Sequence, residues 1–458
     1  MATHSPQDVA AAIKAYDVRG VVGEGAGFLN EDFVRDVAAS FARLMREEGA
    51  DAIVIGHDMR DSSPSLAAAF AEGVNAQGLN TITLGLTSTD ELYYASGVKQ
   101  CPGAMFTASH NPAKYNGIKL CRAGARPVGQ DSGLDRISSE LVEGVPAYDG
   151  EPGTNTTEDV LEGYADYLNN LVPLNIRPLK VAVDAGNGMG GLTVPAVLKQ
   201  DALEIFDLYF ELDGTFPNHE ANPLDPKNLV DLQKFTVDQG ADLGIAFDGD
   251  ADRCFIVDEL GEAVSPSTIC AMIAERYLDE QPGATIIHNL ITSKSVRELV
   301  EAKGGKPVRT RVGHSFIKAQ MAQESAVFGG EHSAHYYFSD FFNADSGMLA
   351  ALHVLATLGG QDKPLSELKR AYETYRASGE INSEVADQAG RTEAVVEAFA
   401  DRTVSVDRLD GVTIELQDGS WLNVRASNTE PLLRLNVEAR DDEGVQAIVD
   451  EALAIIRA

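Results

Sequence analysis

The stretch Leu243-Gly244-Ile245-Ala246-Phe247-Asp248-Gly249-Asp250-Ala251-Asp252-Arg253 joins a short apolar run to a loop in which three aspartates alternate with small residues. The apolar run has the length of a buried strand, and the glycine after it marks a turn. Two similar runs, Lys180–Val183 and Phe206–Phe210, precede it. Strands that alternate with helical segments predict an α/β domain with a largely parallel sheet. Ligands of such sheets bind beyond the carboxyl ends of the strands, where the aspartate loop falls.

This set of three strands occurs three times along the chain. Helix-like segments, such as Pro64–Gln77 and Ser295–Lys303, separate many of the strands. A polar loop follows the third strand of each set, so three such loops could face one central cleft. The predicted strands are Ala52–Ile55, Thr81–Leu84 and Ala104–Phe106, then Lys180–Val183, Phe206–Phe210 and Leu243–Phe247, then Thr285–Ile287, Pro307–Thr310 and Ala326–Phe328. The three loops are Thr107–Pro112, Asp248–Arg253 and Gly329–His335.

The C-terminal part has a different pattern. Val412–Leu416 and Trp421–Val424 alternate in polarity around Asp418-Gly419, which is a strong hairpin signal. A strand at Leu432–Glu438 and a helix at Val445–Ile456 follow, so this part is predicted to be an α+β domain. A polar stretch, residues 144–159, is a plausible first linker. We predict four domains, at residues 1–150, 151–256, 257–366 and 367–458.

The composition describes a soluble globular protein and restricts its partners. The 458 residues exceed one ordinary core, and 44% are hydrophobic and 23% charged. With 37 basic and 70 acidic residues, the net charge of −33 argues against binding to nucleic acid or an anionic membrane. An anionic ligand would need basic residues concentrated at one site. The sequence does not decide between a monomer and a homodimer.

The cysteines and the hydropathy of the chain indicate a cytoplasmic location. Cys101, Cys121, Cys254 and Cys270 form no Cys-x-x-Cys pair, which fits a reducing compartment. The N-terminus lacks an apolar run of signal-peptide length. No stretch approaches the roughly 18 apolar residues that a membrane span needs.

The aspartate loop is a candidate magnesium site. Carboxylate oxygens suit Mg²⁺, but alternate residues of an extended chain lie about 6.6 Å apart, so the loop must curl at Gly249 and Ala251. An EF-hand would need glycine where Arg253 stands, and strands rather than helices are predicted on both sides. A phosphatase of the Asp-x-Asp-x-Thr type does not fit Asp252. A solvated acidic turn remains the alternative.

The serine of Thr107-Ala108-Ser109-His110-Asn111-Pro112 is a candidate phosphoryl carrier. It lacks the Gly-x-Ser-x-Gly frame of a hydrolase. His110 is not expected to act as its base, because consecutive side chains diverge in most backbone conformations. An ordinary turn serine is the alternative. Together with the aspartate loop, however, Ser109 predicts a phosphorylated serine beside an activating Mg²⁺.

Other polar residues could bind a sugar phosphate. Two guanidinium groups, hydroxyls and an amide form a candidate phosphate site, although a surface hairpin remains possible. These are Arg425, Ser427, Asn428, Thr429 and Arg434. Further candidate cations are Arg19, Lys119, Arg253 and Lys294. Glu331 and Ser333 could hold sugar hydroxyls beside His335, whereas His335 and His314 could instead be ordinary core histidines.

A glycine-rich stretch, residues 186–191, fits the dinucleotide pattern Gly-x-Gly-x-x-Gly. Such matches are weak, and the carboxylate of Asp184 before it would repel a pyrophosphate. A tight turn between a strand and a helix is the preferred interpretation.

These residues resemble one family closely, the α-D-phosphohexomutases, and in particular bacterial phosphomannomutases and phosphoglucomutases. The matching motifs are Ala15-Tyr16-Asp17-Val18-Arg19-Gly20, Thr107 to Pro112, Tyr115-Asn116-Gly117-Ile118-Lys119, Asp248 to Arg253, Gly330 to His335 and Arg425 to Pro431. The resemblance implies a heart-shaped protein with three similar α/β domains and a fourth domain of the TATA-binding-protein type around a central cleft.

The resemblance also implies roles for individual residues. Ser109 would carry the phosphoryl group and, with Asp248, Asp250 and Asp252, hold Mg²⁺. Residues expected near the transferring group are Arg19, Lys119, Arg253 and His335. Residues expected to bind substrate are Tyr16, Lys294, His314, Glu331, Ser333, Arg425, Ser427, Asn428, Thr429 and Arg434. The chain departs from the frequent Gly-Glu-Met-Ser-Gly-His form, because His332 and Ala334 replace methionine and glycine.

The function that the resemblance implies is an intramolecular phosphotransferase of carbohydrate metabolism. It would interconvert mannose 6-phosphate and mannose 1-phosphate through a phosphoserine and a hexose 1,6-bisphosphate, and would also accept glucose phosphates. The alternatives are a phosphoglucosamine mutase and a non-catalytic sugar-phosphate-binding protein.

Overall fold

The computed structural model describes residues 3–427 and 432–458, apart from the side chain of His314. The chain forms two compact units. The first unit comprises Met1–Val264 and Ser333–Ser366, and the second comprises Ser265–His332 and Glu367–Ala458. Within the described residues, no helix is both long and apolar enough to span a bilayer. The four cysteines are free thiols.

The first part of the first unit is an α/β domain around a mixed sheet of order β1-β5-β4-β2-β3-β7, with β6 paired to β5. Its strands are β1 (Val18–Val21), β2 (Ala52–His57), β3 (Asn80–Leu86), β4 (Gly103–Phe106), β5 (Tyr115–Arg122), β6 (Arg126–Pro127) and β7 (Asn155–Thr157). Its helices are α1 (Pro6–Ala12), α2 (Glu31–Glu47), α3 (Ser63–Ala76), α4 (Thr89–Lys99) and α5 (Leu134–Glu143). The strands β2, β3, β4 and β7 are parallel, and β5 runs antiparallel to β4 and β1.

Helix α2 shows why this domain folds as it does. The Asn30 side chain caps the helix by accepting a hydrogen bond from the backbone N–H of Phe33, and two acidic residues follow in the first turn. Phe33, Val37 and Phe41 recur at helical spacing and are buried in the core of the domain. The residues that the helix places on one face therefore anchor it in the core of the domain.

The second part of the first unit contains the aspartate loop in a sheet of order β12-β11-β10-β8-β9. Its elements are α6 (Leu161–Leu171), β8 (Leu179–Asp184), α7 (Gly190–Val197), β9 (Leu203–Leu208), α8 (Val230–Gln239), β10 (Leu243–Phe247), β11 (Cys254–Asp258) and β12 (Ala263–Val264). Strand β10 is fully buried, parallel to β8 and antiparallel to β11. The loop between β10 and β11 is therefore held by strands on both sides.

The third set of strands is divided between the two units. In the second unit, β13 (Thr285–Asn289) lies between β14 (Lys306–Thr310) and β15 (Phe328–Gly330), and all three strands are parallel. Their helices are α9 (Pro266–Glu280), α10 (Lys294–Ala302) and α11 (His314–Glu324). In the first unit, β16 (Tyr336–Phe338) pairs antiparallel with β17 (Ala344–Asp345), and α12 (Gly347–Gly359) follows.

The C-terminal part of the second unit is an antiparallel sheet with two long helices, and a short helix precedes it along the chain, where the first unit ends. The strand order is β18-β23-β22-β21-β20, and β19 also pairs with β23. The elements are α13 (Leu365–Leu368), β18 (Arg376–Ala377), β19 (Ile381–Glu384), α14 (Gln388–Phe399), β20 (Thr403–Asp407), β21 (Val412–Leu416), β22 (Trp421–Ala426), β23 (Leu432–Ala439) and α15 (Asp442–Ile456). Gly419 has φ +87° in the β21–β22 turn, as the hairpin prediction requires.

The predicted fold class is confirmed, with three local corrections. Strand β15 spans Phe328–Gly330, whereas Ala326–Phe328 was predicted. Strand β9 ends at Leu208 rather than continuing to Phe210, because Tyr209 has φ +56° and leaves the extended conformation. The stretch predicted as a linker contains β7, which pairs with β3. The edge of the first sheet therefore extends into this polar segment.

Candidate active site

Ser109 lies in the loop that follows β4, and its hydroxyl is directed at the aspartate loop. Its Oγ donates a hydrogen bond of 2.8 Å to Oδ2 of Asp248 and lies 3.4 Å from Nη2 of Arg253. Its backbone N–H donates to Oγ1 of Thr107 at 2.9 Å. Ser109 has φ +50°, which is unusual for a residue other than glycine, and its exposed fraction is 5%. The loop thus holds one serine hydroxyl in a strained, nearly buried position.

The expectation about His110 was wrong in its geometry. Nδ1 of His110 lies 3.3 Å from Oγ of Ser109. Ser109 has a left-handed backbone conformation, which is not among the common conformations in which consecutive side chains diverge, and this explains the approach. Burial, followed by the charges of Arg253 and Arg19, lowers the pKa of His110 to about 2. His110 is therefore a neutral ring beside the serine.

The three aspartates converge as predicted. Asp248, Asp250 and Asp252 are buried. One carboxylate oxygen from each of them lies within 4.8 Å of those from the other two. Ala251 has φ +60°, so the loop curls where the sequence indicated. Burial raises the pKa of Asp248 to about 7 against the opposing charge of Arg253. Burial acts in the same direction on Asp250, but Lys119, the hydroxyl of Thr89 and the charge of Arg253 together outweigh burial and lower the pKa of Asp250.

The donor set fits a hard divalent cation. Oδ1 of Asp250 and Oδ1 of Asp252 are buried and have no hydrogen-bond partner within residues 3–427 and 432–458. An unpaired buried carboxylate oxygen is costly, and a cation would satisfy both. Asp248, Asp250 and Asp252 supply oxygen ligands only, which favours Mg²⁺ over zinc or copper.

Two positively charged side chains contact these three carboxylates. Nζ of Lys119 lies 2.7 Å from Oδ2 of Asp250 and 2.5 Å from Oδ2 of Asp252. Burial works against its charge, but the two carboxylates outweigh burial and hold the pKa of Lys119 well above its usual value. Nε of Arg253 donates to Oδ2 of Asp248 at 2.9 Å. Both side chains therefore stay charged at the site.

Arg19 and His335 approach the same loops from two sides. Nη1 of Arg19 donates to Oδ1 of Asn111 at 2.6 Å, and Nη2 forms an ion pair with Asp17. Nε2 of His335 lies 3.6 Å from Oδ1 of Asp252, and its Nδ1 lies 3.0 Å from Oγ of Ser333. The structure thus brings Arg19, Lys119, Arg253 and His335 to the two loops within the first unit.

Helix α4 also supports the aspartate loop, which the sequence did not reveal. Oγ1 of Thr89 donates to Oδ2 of Asp250 at 2.6 Å, and its backbone N–H donates to the carbonyl oxygen of Asp250 at 3.0 Å. A capping box between Ser88 and Glu91 fixes this end of the helix. The helix therefore orients one carboxylate, whose Oδ1 accepts no hydrogen bond from the described residues.

The glycine-rich stretch packs on the aspartate loop. The backbone N–H of Met189 donates to the carbonyl oxygen of Gly249 at 2.9 Å. A Cβ atom on Gly188 would lie 2.7 Å from that same oxygen, which is too close. The glycine thus permits a close approach between two loops. This contact supports the preferred interpretation of the motif as a tight turn.

In the second unit, Glu331 and Lys294 are tied to neighbouring elements. Glu331 is buried, and its Oε1 accepts hydrogen bonds from Nδ2 of Asn289 at 3.3 Å and from the backbone N–H of Gly313 at 3.2 Å. Nζ of Lys294 donates to the carbonyl oxygen of Gly419 at 3.3 Å. Gly419 precedes β22, whereas Arg425 lies near its other end. Lys294 is therefore placed at the opposite end of that strand from Arg425.

Arg425 and Arg434 lie opposite each other on β22 and β23. Both form ion pairs with Glu380, at 3.2 Å from Nη2 of Arg425 and 3.5 Å from Nη1 of Arg434. Their Nε atoms are buried and lack a hydrogen-bond partner in the part of the second unit that the structure describes. The two predicted guanidinium groups thus form a cationic pair bridged by one carboxylate. The sequence analysis did not identify this carboxylate, Glu380.

The remaining predicted residues are located less fully. Tyr16 is half-buried between α1 and β1, and Ser427 follows β22, where its backbone N–H donates to the carbonyl oxygen of Leu432. His314 begins α11, but its side chain lies outside the described atoms. Asn428 and Thr429 lie outside the described residues.

Family models and known proteins match the chain over nearly its whole length. Models of the phosphoglucomutase/phosphomannomutase α/β/α domains I, II and III match residues 10–143, 162–261 and 265–375, and the model of the C-terminal domain matches residues 380–455. A phosphomannomutase of Salmonella montevideo is 39% identical over 439 residues, which cover 94% of this chain and 95% of that protein.

Two further relatives agree. A protein of Xanthomonas campestris pv. campestris named phosphohexose mutases is 39% identical over 436 residues, with 94% of this chain and 95% of that protein covered. The crystal structure of a phosphoglucomutase/phosphomannomutase family protein from Burkholderia thailandensis aligns with a TM-score of 0.89 at 30% identity, and the alignment covers 99% of this chain and 98% of that one. The chain therefore belongs to the phosphoglucomutase/phosphomannomutase family.

Proposed function

We propose that this protein interconverts mannose 6-phosphate and mannose 1-phosphate and also accepts glucose phosphates. One observation carries the proposal: Oγ of Ser109 lies 2.8 Å from Asp248 in a buried group of three aspartates. With Arg253 beside Oγ and a divalent cation bound by the carboxylates, such a site could carry a phosphoryl group on the serine and neutralise its charge. The names of the relatives from Salmonella and Xanthomonas support a hexose phosphate as the substrate.

Two phosphoryl transfers would give the isomerisation. In the first, the bond between phosphorus and Oγ of Ser109 breaks, and phosphorus bonds to the free hydroxyl oxygen of the hexose monophosphate. Overall, the proton of the sugar hydroxyl is transferred to Oγ, which becomes the serine hydroxyl, so no proton is gained or lost. The product is a hexose 1,6-bisphosphate. The bisphosphate then reorients in the site. In the second transfer, Oγ of Ser109 bonds to the phosphorus of the other phosphoryl group as the bond from that phosphorus to its sugar oxygen breaks. The serine proton passes to that sugar oxygen, and the isomeric monophosphate leaves.

The residues around Ser109 suit this chemistry, because phosphoryl transfer depends mostly on alignment and charge neutralisation. Arg253 would stabilise the oxygens of the transferring group, since its Nη2 is already 3.4 Å from Oγ. Lys119 holds a positive charge next to Asp250 and Asp252. A Mg²⁺ ion held by the three aspartates would withdraw charge from the phosphoryl oxygens. The low exposure of Ser109 would slow hydrolysis by water.

Comparative kinetics should give mannose phosphate as the main substrate, with glucose phosphate close behind. The two sugars differ only at C2, and the proposed contacts of Glu331 and Ser333 are with the hydroxyls at C3 and C4. A site discriminates weakly between two epimers when binding the wrong one costs it no buried hydrogen bond. Galactose phosphate, inverted at C4, should lose a hydrogen bond and be a poor substrate. A coupled mutase assay, started with a hexose 1,6-bisphosphate, measures kcat/KM for each sugar.

The same assay tests the alternatives. If glucosamine 6-phosphate has a higher kcat/KM than mannose 6-phosphate, a phosphoglucosamine mutase replaces the proposal. Binding without turnover of any hexose phosphate would indicate a non-catalytic binding protein. If galactose phosphate matches mannose phosphate, the role proposed for Glu331 and Ser333 is wrong.

Arg425→Ala should weaken the binding of both monophosphates. We propose that Arg425, with Arg434, Ser427, Asn428 and Thr429, binds the phosphate that is not reacting. Losing a charged set of hydrogen bonds costs about 1.5–3 kcal/mol, or roughly 10- to 150-fold in kcat/KM. Steady-state kinetics in both directions measures the loss.

Arg408→Ala is a matched control, because Arg408 is exposed and pairs with Glu393 in the same part of the second unit. This control should keep the original KM. Unchanged kinetics of the Arg425→Ala variant in both directions would refute the assignment.

A further inference from the structure

One buried side chain contacts most of the Ser109 loop. Arg60 follows β2, and its exposed fraction is 1%. Its Nη2 donates to the carbonyl oxygens of Ser109 at 2.9 Å and Asn111 at 2.7 Å. Its Nη1 donates to the carbonyl oxygens of Pro112 and Tyr115, both at 3.0 Å. One guanidinium group thus binds four backbone carbonyls of a single loop.

Arg60 is itself held on several sides. Its Nε donates to Oδ2 of Asp58 at 3.1 Å, and Asp58 also accepts hydrogen bonds from the backbone N–H of Arg60 and from Oγ of Ser63. The ring of Phe216 lies 5.1 Å from Cζ of Arg60. A Cβ atom on Gly214 would lie 2.5 Å from Cα of Arg60, so the loop around residue 214 packs closely on it. The guanidinium group therefore has little freedom to move.

We propose that Arg60 is a positioning residue that fixes the Ser109 loop for phosphoryl transfer; this inference rests on the proposed function. The left-handed conformation of Ser109 persists only where its surroundings determine it. Arg60 does so by fixing the peptide group that follows Ser109, and thereby the direction of Oγ towards Asp248. The four carbonyl oxygens that accept hydrogen bonds from Arg60 also point towards its guanidinium group. Their partial negative charges therefore do not face a phosphoryl group on Oγ.

The geometry of the contact explains why arginine is needed. A planar guanidinium group presents donors in a fixed fork, whereas a lysine ammonium group is a single point on a flexible stem. Lysine would keep the positive charge beside Asp58 but could not span the carbonyls of Ser109 and Tyr115 together. Arg60→Lys therefore separates positioning from charge.

Arg60→Lys should lower kcat about 100-fold, the usual effect of a misplacement of about 1 Å at a reacting group, and leave KM for mannose 6-phosphate nearly unchanged. The direct readout is the single-turnover rate at which a hexose 1,6-bisphosphate phosphorylates Ser109 in the dephosphorylated protein, followed by intact-protein mass spectrometry. This rate should fall in step with kcat. A merely structural role would lower the melting temperature and leave the transfer rate per folded molecule unchanged.

Arg43→Lys is the matched control, because Arg43 pairs with Glu140 in the same domain and has no contact with Ser109 in the described residues. If Arg60→Lys does not fold, Phe216→Leu, which loosens the cover of the guanidinium group, should still slow the transfer measurably. Transfer at the wild-type rate in either folded variant overturns the role of Arg60. If the wild-type protein itself takes no phosphate on Ser109, the proposed function fails instead.

Discussion

Ser109→Ala is expected to lose nearly all mutase activity. Alanine has no oxygen to bond to phosphorus, so neither half-reaction can proceed through the protein. Removing a covalent nucleophile costs several orders of magnitude in kcat, and here we expect a loss of at least about 10³-fold. The coupled mutase assay measures the loss. Peptide mass spectrometry of the wild-type protein should place the added phosphate on Ser109.

The control for this variant is Ser65→Ala. Ser65 is an exposed residue of α3, and its Oγ donates only to the carbonyl oxygen of Ser62 among the contacts in the described chain. Near-normal turnover of the Ser109→Ala protein would show that the phosphoserine mechanism is wrong. Loss of activity in both variants would point to a general defect of folding.

Asp250→Asn is expected to lower activity by about 10²–10³-fold, the usual cost of removing one electrostatic stabiliser. The amide can still accept the hydrogen bond from Thr89, so the fold should survive. The Asp250→Asn substitution removes one negative charge from the group of aspartates that would hold Mg²⁺. Activity measured against Mg²⁺ concentration should need more metal than the wild-type protein, and calorimetry should show weaker binding of the ion.

Asp238→Asn serves as its control, because Asp238 is an exposed residue of α8 that pairs with Lys234. That variant should keep the metal dependence of the wild-type protein. Full wild-type activity in excess chelator would contradict the assignment of the aspartate loop to Mg²⁺.

The sequence predicts best the strands that have a regular apolar pattern between clear turn residues. The bounds of β10 and β21 agree with the prediction at both ends, because each has a continuous or alternating apolar pattern between clear turn residues. Edge strands such as β1 and β7 were not predicted. The three residues of β7 are all exposed, so no hydrophobic pattern marks them. This segment is a strand because it pairs with β3, not because of its own sequence pattern.

The same distinction applies to the site. Ser109 and the three aspartates stand in recognisable loops, and local spacing was enough to nominate them. Arg60 and Thr89 were missed, because their partners are 49 and 161 residues away along the chain. His110 was set aside on an average backbone geometry that the left-handed Ser109 does not have. A local sequence pattern does not predict contacts between residues that are far apart along the chain.

The hydrogen bond between Ser109 and Asp248 sets an order of events during synthesis. The two residues are 139 positions apart, so a ribosome that adds about 5–20 residues per second needs roughly 7–28 s to pass from one to the other. During that interval the first domain can fold, but Ser109 does not yet have the carboxylate of Asp248 as a partner. Arg60 likewise lacks the ring of Phe216 until late in the interval. A nascent chain should therefore acquire the capacity to carry phosphate in one step, only after the aspartate loop has left the exit tunnel.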